Sequence, residues 1–252
     1  MRFAACLGFC SLVVALAAAQ DPIENPAAIP SKGNKGELVP SGFRSYIVID
    51  ERYAPKVAGS TNPNDRHPKD TTDKMHDLVA EHGLSPVVAI FVRDSEQKKL
   101  DPQAGVGKLA AELNKLMTIP DYRGNKLAAF VMFLRITGME KTITLINPDK
   151  SQTMVELDAE YPQDEKRDKP HAEDVRNFAT AVKAPNVVFA LGPVKSKAGT
   201  TWNIGETDEV TVVFYNRNRI IERWKFGADG PSADEIKQIL ATVESTVLGK
   251  KP

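Results

Sequence analysis

Sulfur is the most reactive group that a side chain offers, and here it is confined to one place. Cys6 and Cys10 are the only cysteines in 252 residues. Both sit within the apolar run Ala4–Ala19, which follows one positive charge at Arg2 and ends Ala17-Ala18-Ala19 before Gln20-Asp21-Pro22. A basic start, an apolar stretch of about 7–15 residues and small residues at the cut make the pattern of a secretory signal peptide. The run is shorter than the roughly 20 apolar residues that a membrane span needs. The expectation is therefore a signal peptide over 1–19 and a periplasmic or secreted mature protein. Cleavage after Ala19 would remove both cysteines. The mature protein would then hold no disulfide, no thiolate nucleophile and no thiolate metal ligand, although its compartment permits disulfides.

The remaining candidates are nitrogen and oxygen groups. The histidines are His67, His76, His82 and His171. His76 and His82 are six apart, not the i,i+4 spacing that puts two imidazoles on one metal. Asp77 and Glu81 between them complete no metal motif. Asn62, Asn64, Asp65, Asp70 and Asp73 make an oxygen-rich loop, but their spacing is not that of a calcium loop. No serine lies in a G-x-S-x-G context. Gly105-Val106-Gly107-Lys108 opens a helix but lacks the phosphate-loop spacing. No catalytic, cofactor-binding or metal residue is assigned on this basis, and no cofactor is expected. Two further possibilities stay open. His76, Glu81 or the Asp65–Asp73 cluster could serve acid–base chemistry. Trp202, Tyr215, Trp224 and Phe226, near one hairpin, could form a binding patch.

Composition narrows the partners. Lys+Arg and Asp+Glu balance at 33 each. Nucleic acid and anionic membranes usually demand a basic excess, so neither is expected as a partner. A protein or small-molecule partner remains, unnamed by the sequence. The mixed charges of Gln163–Lys169 read as a solvated loop.

The elements that must position these groups follow from hydrophobic period and breakers. Pro22, Pro26, Pro30 and Pro40 mark 20–41 as a disordered, Pro-rich linker. A single domain is expected over 42–250, with an N-terminal extension at 42–85. Tyr46–Ile49 reads as a strand. A helix opens at Thr72 and carries Met75, Leu78, Val79 and His82 on one face. Three apolar runs, Pro86–Arg93, Leu127–Leu134 and Asn186–Leu191, read as strands buried on both faces. Between them lie helices over about 105–117 and 171–183, the second introduced by Pro170. Residues 136–170 read as an inserted hairpin and loop. Val210–Tyr215 and Arg219–Phe226 form a hairpin across Asn216-Arg217-Asn218. Ser232 and Glu235 form a capping box for the last helix.

Strands alternating with helices imply a parallel sheet with helices on its faces, made mixed by the closing hairpin. This β-α-β-α-β order followed by β-β-α resembles the thioredoxin fold. The stretch Thr211-Val212-Val213-Phe214-Tyr215-Asn216-Arg217-Asn218-Arg219-Ile220-Ile221 is similar to the terminal hairpin of thioredoxins and peroxiredoxins. The fold class expected is a three-layer α/β/α sandwich with a mixed central sheet, a terminal hairpin and a C-terminal helix. The resemblance implies a reactive site where a central strand meets the next helix, holding Cys-x-x-Cys or one peroxidatic cysteine. It also implies a cis-proline before the hairpin's first strand. With Leu127–Leu134 as that central strand, the site would fall at Arg135-Ile136-Thr137-Gly138, with the next helix opening at His171 and Ala172. Another register would put it at Asp77-Leu78-Val79-Ala80. Neither stretch has a cysteine, and Glu206-Thr207-Asp208-Glu209 before the hairpin has no proline. The protein is thus expected to be a degenerate member without thiol chemistry, not an enzyme, acting by binding or as structure.

Overall fold

Three apolar runs form the middle of the molecule. The computed structural model describes residues 35–40, 42, 44–53, 69–93, 101–136, 140–147, 152–158, 165–193, 202–205 and 207–249. Within them, β3 (Val87–Val92), β4 (Ala128–Ile136) and β7 (Val187–Pro193) lie side by side and parallel. Every residue of β3 is at most 2% exposed. That explains its unbroken apolar sequence, because a strand with neighbours on both faces has no position left for a polar side chain.

Antiparallel strands flank this trio. β8 (Val210–Asn216) pairs with β3, and β9 (Arg219–Phe226) pairs with β8. On the other side β1 (Ser45–Ile49) pairs with β7, and the two-residue β2 (Met75–His76) with β1. The seven-stranded order is β2-β1-β7-β4-β3-β8-β9. β5 (Glu140–Ile146) and β6 (Gln152–Asp158) form a separate two-stranded sheet. This is the hairpin expected within 136–170.

The two faces are covered unequally. α2 (Gly105–Thr118), α4 (Glu165–Val182) and α5 (Ala233–Val247) pack on one face. Leu109, Leu113, Val175, Phe178, Ile239 and Val243 meet Val88, Ile90, Val131, Phe133 and Phe189 there. Each large side chain buried this way contributes about 1.5–3 kcal/mol. The second face carries Ile47, Phe91, Phe130, Met132, Val213 and Tyr215. Its cover is the short α1 (Leu78–His82), the segment Trp202–Ile204 and Val39. A one-turn helix, α3 (Pro120–Gly124), leads from α2 towards β4. Among the described residues no helix is long and apolar enough to cross a membrane.

Four local expectations change. The helix expected from Thr72 is instead β2 followed by α1, because Asp77 accepts the N–H groups of Val79 and Ala80 and so starts the helix five residues later. α4 begins at Glu165 and runs through Pro170, rather than opening there. A proline ring already holds a helical φ, and here it forfeits one backbone bond without ending the helix. The second hairpin turns on two residues, Arg217 and Asn218, with φ of 51° and 58°. Both central residues of the tight turn that matches strand twist need positive φ. Finally, the end of the expected linker is not free. Gly36 N donates to Ile220 O, Ile220 N to Glu37 O and Val39 N to Asn218 O, which lays 36–39 along the outer edge of β9.

Candidate functional site

The hairpin decides where the fold's reactive junction lies. β8 runs antiparallel to β3, pairing Val210 with Val92. The stretch before β8 therefore meets the end of β3, where Arg93 N donates to Glu209 O at 2.7 Å. The two halves of the site implied by the resemblance come together only here, between β3 and α2. This replaces the register at Arg135–Gly138 and His171, which follows β4, and the alternative at Asp77–Ala80. Sequence could not choose between β3 and β4, since both are apolar runs followed by a helix. Pairing with the hairpin is what separates them.

This junction carries no cysteine in 93–107. Its helix start is also closed by backbone. Gly105, the first residue of α2, has φ +46°, and a Cβ there would run into the Asp229 carbonyl oxygen. A Cβ on Gly107 would run into the Pro102 carbonyl oxygen. The N-cap, Ala104, supplies no side-chain acceptor. The glycines of the 105–108 motif thus serve close backbone packing rather than phosphate binding.

Among the described residues, the charged side chains at this end include Arg93, Asp208, Glu209, Arg223, Lys225 and Glu37. Lys225 Nζ lies 2.7 Å from Asp208 Oδ2, which also accepts Gly205 N–H. Burial would raise the Asp208 carboxyl, but these hydrogen bonds outweigh it and hold it below the usual carboxylate range. Burial lowers the Arg223 guanidinium, against the opposing charges of Asp208 and Glu37.

A second cluster lies at the opposite edge of the sheet. The Asp50 side chain is fully buried and receives Arg52 Nε at 2.7 Å, Arg52 Nη2 at 2.8 Å and the Thr71 hydroxyl at 2.7 Å. Arg52 also reaches Glu81, with Nη1 2.9 Å from Oε1. Glu81 Oε2 is in turn 2.9 Å from His76 Nε2. Burial would raise Asp50, yet the Arg52 and Thr71 hydrogen bonds hold it below its ordinary value. Burial would lower Arg52, and its bonds to Asp50 and Glu81 raise it instead. A fork shared by two carboxylates is the geometry arginine favours.

His82 sits beside this network with its Nε2 buried and unpartnered. Burial pushes it down to about 4. The cluster ties 50–52 to 71–81, and Thr72 adds a bond from Asp50 N to its own hydroxyl. Asp50 and Arg52 were not singled out in the sequence. An Asp and an Arg two apart at a strand end are a faint signal, and nothing in sequence brings Glu81 to them.

His76 and Glu81, named as acid–base candidates, do meet. Ser45 pairs across from His76, but its buried hydroxyl points to Met132 Sδ at 3.7 Å. Asp73 is engaged by the Tyr46 hydroxyl at 3.1 Å and Arg176 at 2.9 Å, and Asp70 accepts Thr72 N–H. His67, Asn62, Asn64 and Asp65 fall outside the described residues. His171 is half-buried on α4. Among the described residues no group of His, Cys, Asp and Glu is arranged to hold a metal.

The aromatic residues do not form one patch. Trp202 and Tyr215 are fully buried on the second face, with Trp202 5.2 Å from Phe91 and 6.0 Å from Tyr215. Trp224 and Phe226 pack half-buried against the first. A bulge between Phe214 and Tyr215 shifts the register, so Ile220 faces Tyr215 while Glu222, Trp224 and Phe226 face the other way. Simple alternation along β9 would put Ile220 with them, and one extra residue reverses the parity. The Tyr215 hydroxyl is buried without a partner, and burial, then the Asp77 charge, raises it.

No protein-family profile matches the sequence, and no curated protein sequence does. Solved structures do resemble it. AhpC of Mycobacterium bovis superposes with a TM-score of 0.50 at 9% identity, over 88% of this protein and 96% of that one. Reduced Prx3 of Vibrio vulnificus gives 0.40 at 10% identity, over 84% and 96%. A secreted disulfide oxidoreductase of Mycobacterium tuberculosis, homologous to DsbE, gives 0.38 at 11%, over 69% and 90%. The fold assignment rests on the first of these and on the sheet order. The protein has the thioredoxin-like fold: a mixed seven-stranded sheet with flanking helices, closed by a hairpin and a C-terminal helix.

Proposed function

We propose that this protein is an exported thioredoxin-like domain without thiol redox activity, and that it works by binding a partner or ligand. One observation carries the reading. At the β3–α2 junction the helix opens on two glycines packed against backbone, at Asp229 and Pro102, so neither Gly105 nor Gly107 has room for a side chain. A helix N-terminus can stabilise a thiolate only if a side chain projects there. The sequence agrees, since its only cysteines lie in the expected signal peptide. The test uses purified exported protein, with its N-terminus read by intact mass. The expected start is Gln20. Insulin reduction by dithiothreitol and peroxide consumption should proceed at the uncatalysed rate. Turnover in either assay overturns the proposal.

A second reading is favoured by one contact, His76 Nε2 to Glu81 Oε2. A carboxylate that orients an imidazole is half of an acid–base device. Arg52 holds the same carboxylate, however, and the neighbouring Ser45 is turned away. If the exported protein hydrolyses a general ester such as p-nitrophenyl acetate, and His76→Ala abolishes this, the acid–base reading replaces the binding one.

A further inference from the structure

The main sheet guards both of its edges, and the separate hairpin does not. Residues 36–39 lie along the outer edge of β9, and the other edge strand, β2, is only two residues long. Covering an edge and shortening it are two ways a protein keeps unpaired backbone from meeting another chain. β5 and β6 pair with each other, in register from Glu140↔Asp158 to Ile146↔Gln152. Among the described residues no third strand joins them, so all seven residues of β5 present an unpaired outer edge. A two-stranded hairpin is marginal by itself, and further strands are what secure one. The register also places Ile143, Leu145, Val155 and Leu157 on one face of the hairpin and Thr142, Thr144, Met154 and Glu156 on the other.

The sequence of β5 says what would pair there. Thr142-Ile143-Thr144-Leu145-Ile146 carries no charge, and all but Leu145 are β-branched, the residues that strands favour. β6 holds Glu156 near its middle, and a charge blunts an edge. β5 is also complementary to itself. Two copies laid antiparallel about Ile143 set Thr142 opposite Thr144, Lys141 opposite Leu145 and Glu140 opposite Ile146. No like charges meet, and Thr–Thr pairs across strands are favourable. We propose that the outer edge of β5 pairs with β5 of a second copy of this protein, giving a four-stranded sheet β6-β5-β5-β6 about a two-fold axis. One patch then serves both partners, as a two-fold interface requires. Directly paired residues share a face, so the apolar positions of both hairpins join into one continuous surface. The pairing stands apart from the reading of the β3–α2 junction, since neither strand belongs to it.

The experiment uses the full mature protein, its mass followed by sedimentation equilibrium over a wide range of concentration. A reversible monomer–dimer equilibrium is expected. Thr142→Lys with Thr144→Lys sets lysine opposite lysine at both Thr–Thr crossings and should abolish the dimer. Thr142→Lys with Thr144→Glu sets opposite charges at the same crossings and should keep it. Both positions share the face of Met154 and Glu156, away from the apolar one, and thermal midpoints equal to the dilute parent's confirm that the fold is intact. Ile143→Cys should give a disulfide-linked dimer on mild oxidation, because that residue meets its own copy at the axis. Ile146→Cys, which meets Glu140, should not. The outward amides of 142–146 should be protected from hydrogen exchange in the dimer and lose that protection on dilution. A parent that is monomeric at every concentration overturns the proposal, and so does a dimer that survives the lysine pair. Protection that persists in the monomer also overturns it, since this chain's own residues would then cover the edge. None of these failures touches the redox assays, and turnover in those assays would leave the dimer unaffected.

Discussion

Acid should weaken this fold through one imidazole. Burial lowers His82 from 6.5 to about 4, while Glu81 and Asp50 oppose that and Arg52 and His76 add to it. Between those two values the unfolded state takes up a proton that the folded state refuses. Stability supplied by the neutral ring is complete above pH 6.5 and drains as pH falls. Each pH unit in this window costs about 1.4 kcal/mol, so the loss approaches about 3 kcal/mol near pH 4. His82→Leu removes the titration. Its Nε2 has no partner to lose, so at pH 7.5 the variant should lie within about 1 kcal/mol of the parent. Urea melts at steps from pH 7.5 to 4.5 measure both. The parent should lose about 2–3 kcal/mol more than the variant across that range. Asp50, held below its ordinary 3.8, contributes to both proteins alike and only at lower pH, so the difference isolates His82. Parallel pH profiles would show that the ring is solvated or paired, and the reasoning would fail.

Three other perturbations test the frame. Arg52→Ala leaves the fully buried Asp50 carboxylate uncompensated and should cost about 3–5 kcal/mol, whereas Asp50→Asn with Arg52→Met should recover most of it; urea midpoints decide. Gly105→Ala forces a Cβ into the Asp229 carbonyl at φ +46° and should cost at least ~2 kcal/mol, read from the thermal midpoint. A neutral result would mean that the β3–α2 junction has room after all. Trp202→Ala removes a fully buried ring from between Phe91 and Tyr215 and should cost about 3–5 kcal/mol in the same melts.

Element types were largely legible because burial imposes its period on the sequence. β3, β7 and the part of β4 up to Leu134 are apolar since both of their faces are covered, and the α5 capping box reads directly as Ser232 and Glu235. Boundaries set by one side chain were not. Asp77 shortens a helix that periodicity started at Thr72, and the hairpin bulge reverses which face Ile220 takes. The candidate site was less legible still. His76 and Glu81 were visible as residue types, but their contact depends on β2 ending where Asp77 caps α1. Asp50 and Arg52 looked ordinary. Their interest comes from burial and from partners that are far off in sequence, which only the packing at the end of β1 brings together.

The strap at the start of the described residues has a mechanical consequence. Val39 is bonded at the β9 edge, and six residues later Ser45 enters β1, near the opposite edge of the same sheet. Tension applied ahead of Lys35 is met first by the short ladder at residues 218–220, loaded in shear, before it can reach β1. A cut between 39 and 45 would uncouple the two edges, leaving β1 held by its pairing with β7 and β2 and its packing against α4.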